Sequence, residues 1–298
     1  MEIRWLEGFV AVAEEMHFGR AAARLHMAQS PLSQLIRRLE QELGTPLFTR
    51  STRSVALTAS GQVLLPYAYR VLKDLRIAAD AALSAEGVLT GRLDVGFSGV
   101  HNHQTLPLLA RALRRECPGI ELNLVGGVRT FDGVKRVRNG ELDLAFIGLI
   151  GELDAPLEYR AVSRQRLGVV LPSDHRLALR SAIPMAELRS EPFVMGPVDG
   201  NSSLTVVALR TCQNAGFMPQ VAQVVSDPYL ILSLVAAGVG AALMTSEVLP
   251  VLPSSAVWVE IEGAPIEFLH ALVWSTENDS PGLRATLEVV DAVFPRLE

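Results

Sequence analysis

Leu6, Phe9, Val10, Ala13 and Met16 recur at helical spacing and predict an amphipathic helix from about Ile3 to Met16. A short alanine-rich helix over Arg20–Leu25 and a tight turn at His26–Gln29 follow. Ser30 as N-cap and Pro31 at the first helical position then open a third helix, which runs to about Leu43 and stops at Gly44. Leu32, Ile36, Leu39 and Leu43 share one face of it. Two short strands, 46–50 and 55–58, predict a hairpin around Ser51–Ser54. From Thr58 to about Ala85 the pattern is helical again, with an apolar stripe of Val63, Tyr67, Leu72, Leu75, Ala79 and Leu83, and Pro66 predicts a kink. Gly87 and Gly91 mark a hinge.

Beyond the hinge, strands and helices alternate: strand 92–97, helix 105–116, strand 120–125, a helix from Thr130 to Gly140, strand 142–147. A second series opens at Leu167–Leu171 and continues with strand 192–195, helix 203–215, strand 220–225 and helix 229–237. A final strand at Ala271–Trp274 is expected to return to the first half. This order predicts an α/β fold with a mostly parallel sheet.

A chain of 298 residues, 49% of them apolar, is long enough for two or three packed domains. It has no uninterrupted apolar run of membrane-spanning length, and Met1–Trp5 lacks the features of a signal peptide, so a soluble cytoplasmic protein is expected. The net charge of −5 hides an asymmetry. Between Arg20 and Thr58 the basic residues Arg20, Arg24, Arg37, Arg38, Arg50 and Arg53 face only Glu40 and Glu42. A small basic module joined to a larger acidic one fits a DNA-binding domain plus a regulatory domain. Cys117 and Cys212 are far apart and without metal-ligand spacing; two buried thiols are expected, with a redox pair as the alternative.

The third predicted helix places Ser30, Ser33, Gln34, Arg37, Arg38 and Gln41 opposite its apolar stripe. That face offers donors, acceptors and two guanidinium groups, suited to guanine, adenine or phosphate, and its N-terminus suits a phosphate. A solvated surface face would read the same way. The basic hairpin tips the balance, because Arg50 and Arg53 near its tip form a wing placed to touch DNA backbone or minor groove. The DNA-binding set is therefore Gln29, Ser30, Pro31, Ser33, Gln34, Arg37, Arg38, Arg50 and Arg53.

The runs Phe18–Leu25, Gln29–Ser33, Ile36–Glu40, Leu43–Arg50 and Leu57–Gly61 together resemble the N-terminal signature of LysR-type transcriptional regulators, densely over about sixty residues. Leu35 departs from the polar or small residue usual there, and it either packs inside or touches a thymine methyl, which leaves the base preference open. The resemblance implies a winged helix-turn-helix over 1–58, a linker helix over 59–88 that pairs antiparallel with that of a second chain, and an effector domain over 92–298. A linker helix packed on its own chain is the alternative. The effector domain is implied to be two-lobed and similar to periplasmic binding proteins, with lobe I at about 92–162 and 266–298 and lobe II at about 163–265. Leu230–Gly240 matches the family pattern closely, while Met244–Ser246 replaces its usual Val-Pro.

Ligands of open parallel sheets sit beyond the carboxyl ends of strands. That rule, with the resemblance, gives an effector set of Ser98, Gly99, Val100, His101, Thr130, Phe146, Gly196, Pro197, Asn201, Ser202 and Asp227. In the family the Thr130 position supplies a hydroxyl and helix amides to a ligand carboxylate, and helix N-termini with hydroxyls favour a small anionic effector. His101 and His103 either bind a carboxylate or a metal, or are exposed loop imidazoles. No cofactor or metal is expected. An enzyme or a secreted solute binder is the competing class, but no orienting acid accompanies Ser98 and His101, and a secreted binder would need a signal peptide and would not begin with a winged helix. The expected partners are promoter duplex DNA, further copies of the chain up to a tetramer, and RNA polymerase, with no membrane.

Overall fold

The computed structural model describes residues 1–50 and 54–297. The expected wing contact of Arg53 lies outside the described residues. The chain forms two units, one of residues 1–86 with 139–141 and one built from 87–138 and 142–298.

The first unit contains helices α1 (Ile3–Glu15), α2 (Phe18–Arg24) and α3 (Gln29–Leu43), the hairpin β1 (Phe48–Arg50) and β2 (Val55–Leu57), and the long helix α4 (Ala59–Ala85). Helix α1 ends where Met16 turns left-handed at φ 47°. His17 then caps α2, its Nδ1 accepting from the amides of Gly19 and Arg20 at 3.0 and 3.2 Å. Ser30 does not cap α3: Ala28 holds the extended cap position without a side-chain bond, and Ser30 and Pro31 lie inside the first turn. Gly44 does end α3, at φ 69°, which suits a residue without Cβ.

Leu32, Ile36 and Leu39 are fully buried against Phe9, Phe18, Leu47 and Phe48, each contributing about 2 kcal/mol by burial. Leu43, expected in that stripe, is exposed because the helix outruns the small core. The rings of Phe9 and Phe18 lie 5.4 and 5.9 Å from Phe48 and fix the hairpin on the helices. Thr58 caps α4 by accepting from Gly61 N at 3.1 Å, and its hydroxyl donates to Pro46 O at 2.7 Å. The stripe expected on α4 divides between two faces. Leu64, Leu65, Ala68 and Leu72 pack on the core, whereas Val63, Tyr67, Val71, Leu75 and Leu83 are exposed.

The second unit runs β3 (Gly91–Gly96), α5 (Thr105–Glu116), β4 (Ile120–Val125), α6 (Thr130–Arg138), β5 (Leu144–Leu149), β6 (Leu157–Pro172), β7 (Ala182–Ile183), β8 (Pro192–Met195), α7 (Ser203–Asn214), β9 (Gln220–Val224), α8 (Pro228–Ala236), β10 (Ala242–Thr245), β11 (Ala256–Ile261), β12 (Glu267–Ser275) and α9 (Pro281–Val293). In the first lobe β3 is parallel to β4 and β5, and β12 runs antiparallel to β5. In the second lobe β6 pairs antiparallel with β10 and β11, β8 is parallel to β9, and β8 touches the β10 edge at Phe193–Ala241. The parallel order expected from the sequence therefore holds for β3, β4, β5, β8 and β9 but not where the lobes join.

The join is β6 with β12. Strand β6 starts ten residues before the expected Leu167 and passes through both lobes, paired with β12 over Leu157–Arg166 and with β10 and β11 beyond. A register shift lets Ala161 and Ser163 oppose Ala271 and His270, leaving Val162 as a bulge at the crossing. Each lobe has its own core, built on Val95, Leu109, Leu144 and Leu272 in the first and on Val169, Leu171, Phe193 and Leu243 in the second.

Candidate DNA interface and ligand cleft

Helix α3 exposes Gln29, Ser30, Pro31, Gln34, Arg37, Arg38 and Gln41, with Ser33 and Leu35 half-buried at the edges of this face. Among the described residues no ion pair engages Arg37 or Arg38. The other described arginines of the segment, Arg20, Arg24 and Arg50, are spoken for. Arg20 and Arg24 pair with Glu15 and Glu14 on α1. Glu40 accepts from the amides of Leu47 and Phe48 at 2.9 and 3.3 Å and from Arg50 Nη2 at 3.0 Å. The Arg50 guanidinium also lies 4.7 Å over the Phe18 ring. Arg50, expected near the wing tip toward DNA, is thus folded back and ties the wing base to α2 and α3.

In the second unit a cleft lies between the lobes. Its polar lining comes from Ser98, Arg129, Thr130, Ser202, Ser203, Thr205, Ser226 and His270, and its apolar walls include Val128, Phe146, Phe193, Met195, Ile231, Met244 and Phe268. The cleft encloses about 80 Å³, room for one ring-sized molecule in place of several waters, each of which needs roughly 10–15 Å³. The first turns of α6 and α7 border it, so their dipoles favour negative charge there. No carboxylate contributes to the described lining.

The structure brings Ser98, Thr130, Phe146, Gly196, Pro197 and Ser202 of the expected set into this lining. Val100 does not face it. Its side chain is fully buried in the second lobe's cluster with Ile231, Leu232 and Val248, so the turn Gly99–Asn102 plugs one lobe into the other. Asp227 is occupied as the cap of α8, accepting from Tyr229 N at 2.9 Å. Asn201 contributes its carbonyl to Phe131 N at 3.3 Å across the lobes. Gly99 and His101 sit on the same 3-10 turn, and the His101 side chain lies outside the described part; His103 is exposed.

Three contacts join the lobes at the cleft rim. Arg129 grips Asp199 with two bonds, at 2.9 and 2.7 Å, and holds its carboxyl down at about 2. The hydroxyls of Thr130 and Ser203 meet at 2.8 Å, beside the Phe131–Asn201 bond.

Sequence reasoning missed Arg129, Gly148, Thr205, Phe268 and His270. Gly148 forms part of the floor, and a Cβ there would run into Phe268 and Ser203 Oγ. His270 is 3% exposed, its ring centroid 6.0 Å from that of Phe146. Behind it Glu247 is equally buried, Oε2 lying 3.9 Å from His270 Nδ1, and burial pushes the Glu247 carboxyl up to about 8. A histidine flanked by Leu269 and Ala271 in a strand gives no periodic signal that separates a core position from a cleft floor. Both cysteines are buried free thiols, and desolvation holds Cys212, which lines the cleft, up at about 11. Among the described residues no group of three His, Cys, Asp or Glu could hold a metal ion, and no helix is long and apolar enough to cross a membrane.

The profile of the bacterial regulatory helix-turn-helix proteins of the lysR family matches residues 3–62, and that of the LysR substrate binding domain matches residues 86–295. The HTH-type transcriptional regulator ShiR of Corynebacterium glutamicum (strain R) is 44% identical over 294 residues, 99% of either chain. TfdS of Cupriavidus pinatubonensis, also named an HTH-type transcriptional regulator, is 33% identical over 97% of either chain. The crystal structure of CbnR, a LysR family transcriptional regulator, superposes with a TM-score of 0.73 at 25% identity over 99% of both chains. Full-length CbnR in complex with its target DNA gives 0.72, at the same identity, over 98% of this chain and all of that one. The chain belongs to the LysR family: it is a DNA-binding transcriptional regulator, not an enzyme, with an N-terminal helix-turn-helix and a C-terminal two-lobed effector-binding domain.

Proposed function

We propose that this regulator is controlled by a small anionic effector held between the lobes. The observation that carries the reading is the lining itself. Two helix N-termini and the hydroxyls of Ser98, Thr130, Ser202, Ser203 and Thr205 border a cleft to which no described carboxylate contributes. Such a site stabilises negative charge. Effector binding selects one arrangement of the lobes, and that choice changes how the assembled protein sits on DNA.

The same proposal assigns DNA reading to Gln29, Ser30, Pro31, Ser33, Gln34, Arg37 and Arg38 on α3. Half-site pairing requires two chains, and the exposed apolar face of α4 supports a dimer through that helix, extended by effector domains to a tetramer. Contact with RNA polymerase and a cytoplasmic setting complete the reading.

The test uses the full-length chain. Footprinting on the promoter beside its own gene is repeated with ring-sized carboxylates and their uncharged amides. A carboxylate that alters the footprint, with no response to its amide, supports the reading. Response to amides only, or to neither, overturns the anionic effector, and loss of all footprinting at low salt overturns the DNA target.

A further inference from the structure

We propose that the effector is an amphipathic monocarboxylate whose apolar end lies in an arm of the cleft beneath α7, where Ala208 and Cys212 set the length of tail that is admitted. This rests on the reading that the cleft takes an anion, and it adds the class of the rest of the ligand.

The lining changes character along α7. At the first turn it is polar, with Ser202, Ser203 and Thr205 bordering the cleft. Thr130 and Ser203 share one hydroxyl bond at 2.8 Å, and Ser202 Oγ accepts from Thr205 N at 3.3 Å. Neither bond exhausts the hydroxyl donors, so this end can donate to a carboxylate. Beyond it, Leu204, Ala208 and Cys212 follow at intervals of four on the face of α7 that lines the cleft. Eight residues of helix span about 12 Å, further than a single ring and its carboxyl group reach. Spread over that length, the enclosed 80 Å³ suits a slim ligand with a head and a tail.

Phe193 on β8, Leu243 on β10 and Pro219 complete the arm. Phe193, Ala208, Cys212 and Leu243 are all buried members of the second lobe's core. The arm therefore enters that lobe and does not follow its surface. Its one polar atom on α7 is the Cys212 sulfur, a thiol that desolvation keeps protonated at neutral pH. A charged or hydroxylated tail would lose its hydration here without finding partners, whereas an apolar tail gains with each methylene buried. Ala208 and Cys212 are the small members of the row, so the space under α7 depends on their size.

Calorimetry at pH 7 on the full-length protein compares benzoate, phenylacetate, 3-phenylpropionate and 4-phenylbutyrate, with adipate as an acid whose tail ends in charge. Wild type should bind 3-phenylpropionate roughly tenfold more tightly than benzoate, the effect of burying two methylenes, and should not bind adipate measurably. Ala208→Leu should lose that gain and leave benzoate unchanged. Cys212→Ala deepens the arm and should move the optimum toward 4-phenylbutyrate, so the test holds even where one variant fails to fold. Affinity independent of tail length in wild type overturns the apolar arm and leaves the anionic cleft standing. So does an equal loss of short and long acids in Ala208→Leu, an unmoved optimum in Cys212→Ala, or tight binding of adipate. Absence of binding by every one of these carboxylates overturns the cleft reading itself.

Discussion

Arg129 and Asp199, seventy residues apart and on different lobes, close a two-bond ion pair at the rim of the cleft, at 2.9 and 2.7 Å. The pair draws the first turn of α6 toward the loop before α7, where Thr130–Ser203 and Phe131–Asn201 complete the bridge. Removing the carboxylate by Asp199→Asn should loosen this rim without unfolding either lobe, since neither core involves the pair. Hydrogen exchange should quicken in 129–133 and 199–205 and stay unchanged in β3 and β5. The sign with pH follows from the depressed acid. The bond is fully present above the ordinary carboxylate value near 3.8 and is lost as pH falls through about 2. Between pH 5 and 8 the exchange difference should therefore be constant. Unaltered exchange at 199–205 in the variant would remove the latch from the account.

Glu247 makes the opposite prediction. Burial raises its carboxyl from 4.5 to about 8. Below 4.5 folded and unfolded chains both hold the proton, and folding gains its full stability there. As pH rises toward 8 the unfolded chain releases a proton that the folded one keeps, so stability falls by up to about 1.4 kcal/mol per pH unit. Glu247→Gln, which mimics the protonated group, should melt with wild type near pH 5 and at higher temperature than wild type at pH 8. Parallel melting curves at both pH values would show that the carboxyl ionises in place.

Strong periodicity made much of this legible in the sequence. The bounds of α5 and β4 follow directly from the alternation of Leu106, Leu109 and Leu113 and of Ile120 and Leu122. What failed was long-range. The alternation of Leu157, Glu158, Tyr159 and Arg160 breaks at the Val162 bulge and at the polar run Ser163–Arg166, where the strand crosses from one lobe to the other. Strand β10 is buried along its whole length, so it carries no two-sided pattern. At the site, the end-of-strand rule found Ser98 and Thr130 but also Val100, whose apolar side chain had a better partner in the second lobe. The contacts of Arg50 with Phe18 and Glu40, 32 and 10 positions upstream, lie beyond any local pattern in the wing sequence.

Arg50 and Arg37 should therefore separate in experiment. Arg37→Ala and Arg38→Ala leave the core untouched and should each weaken promoter binding by roughly 1–3 kcal/mol, with the melting temperature unchanged. Arg50→Ala and Glu40→Ala should instead lower the melting temperature of the protein, because the first removes the cation over Phe18 and the second releases the amides of Leu47 and Phe48. Gel shifts at two salt concentrations beside thermal melts distinguish the two groups. A stable Arg50→Ala protein with a lost DNA shift would return Arg50 to the reading surface.

The last prediction concerns the exposed ridge of α4. Val63, Tyr67, Val71, Leu75, Ala79 and Leu83 follow one another at intervals of four residues. Such a row winds slowly round a helix and is the kind of ridge that fits the groove of a crossing helix. Five of these side chains are large and apolar, and all five are exposed, Val63 and Tyr67 by 67% and 60%. Isolated exposed apolar residues need no explanation, but a continuous row over five turns is a surface that gains by being covered. Leu64, Leu65 and Leu72 on the other face already hold α4 to its own domain, so charge placed on the ridge should spare the fold. Val71→Glu with Leu75→Glu should then keep the circular dichroism of wild type while light scattering falls to a smaller assembly. Promoter affinity should drop at least tenfold, since a single winged helix contacts only one half-site. A double variant that keeps the wild-type mass would place the pairing surface elsewhere and leave the α4 ridge as ordinary solvent-facing helix.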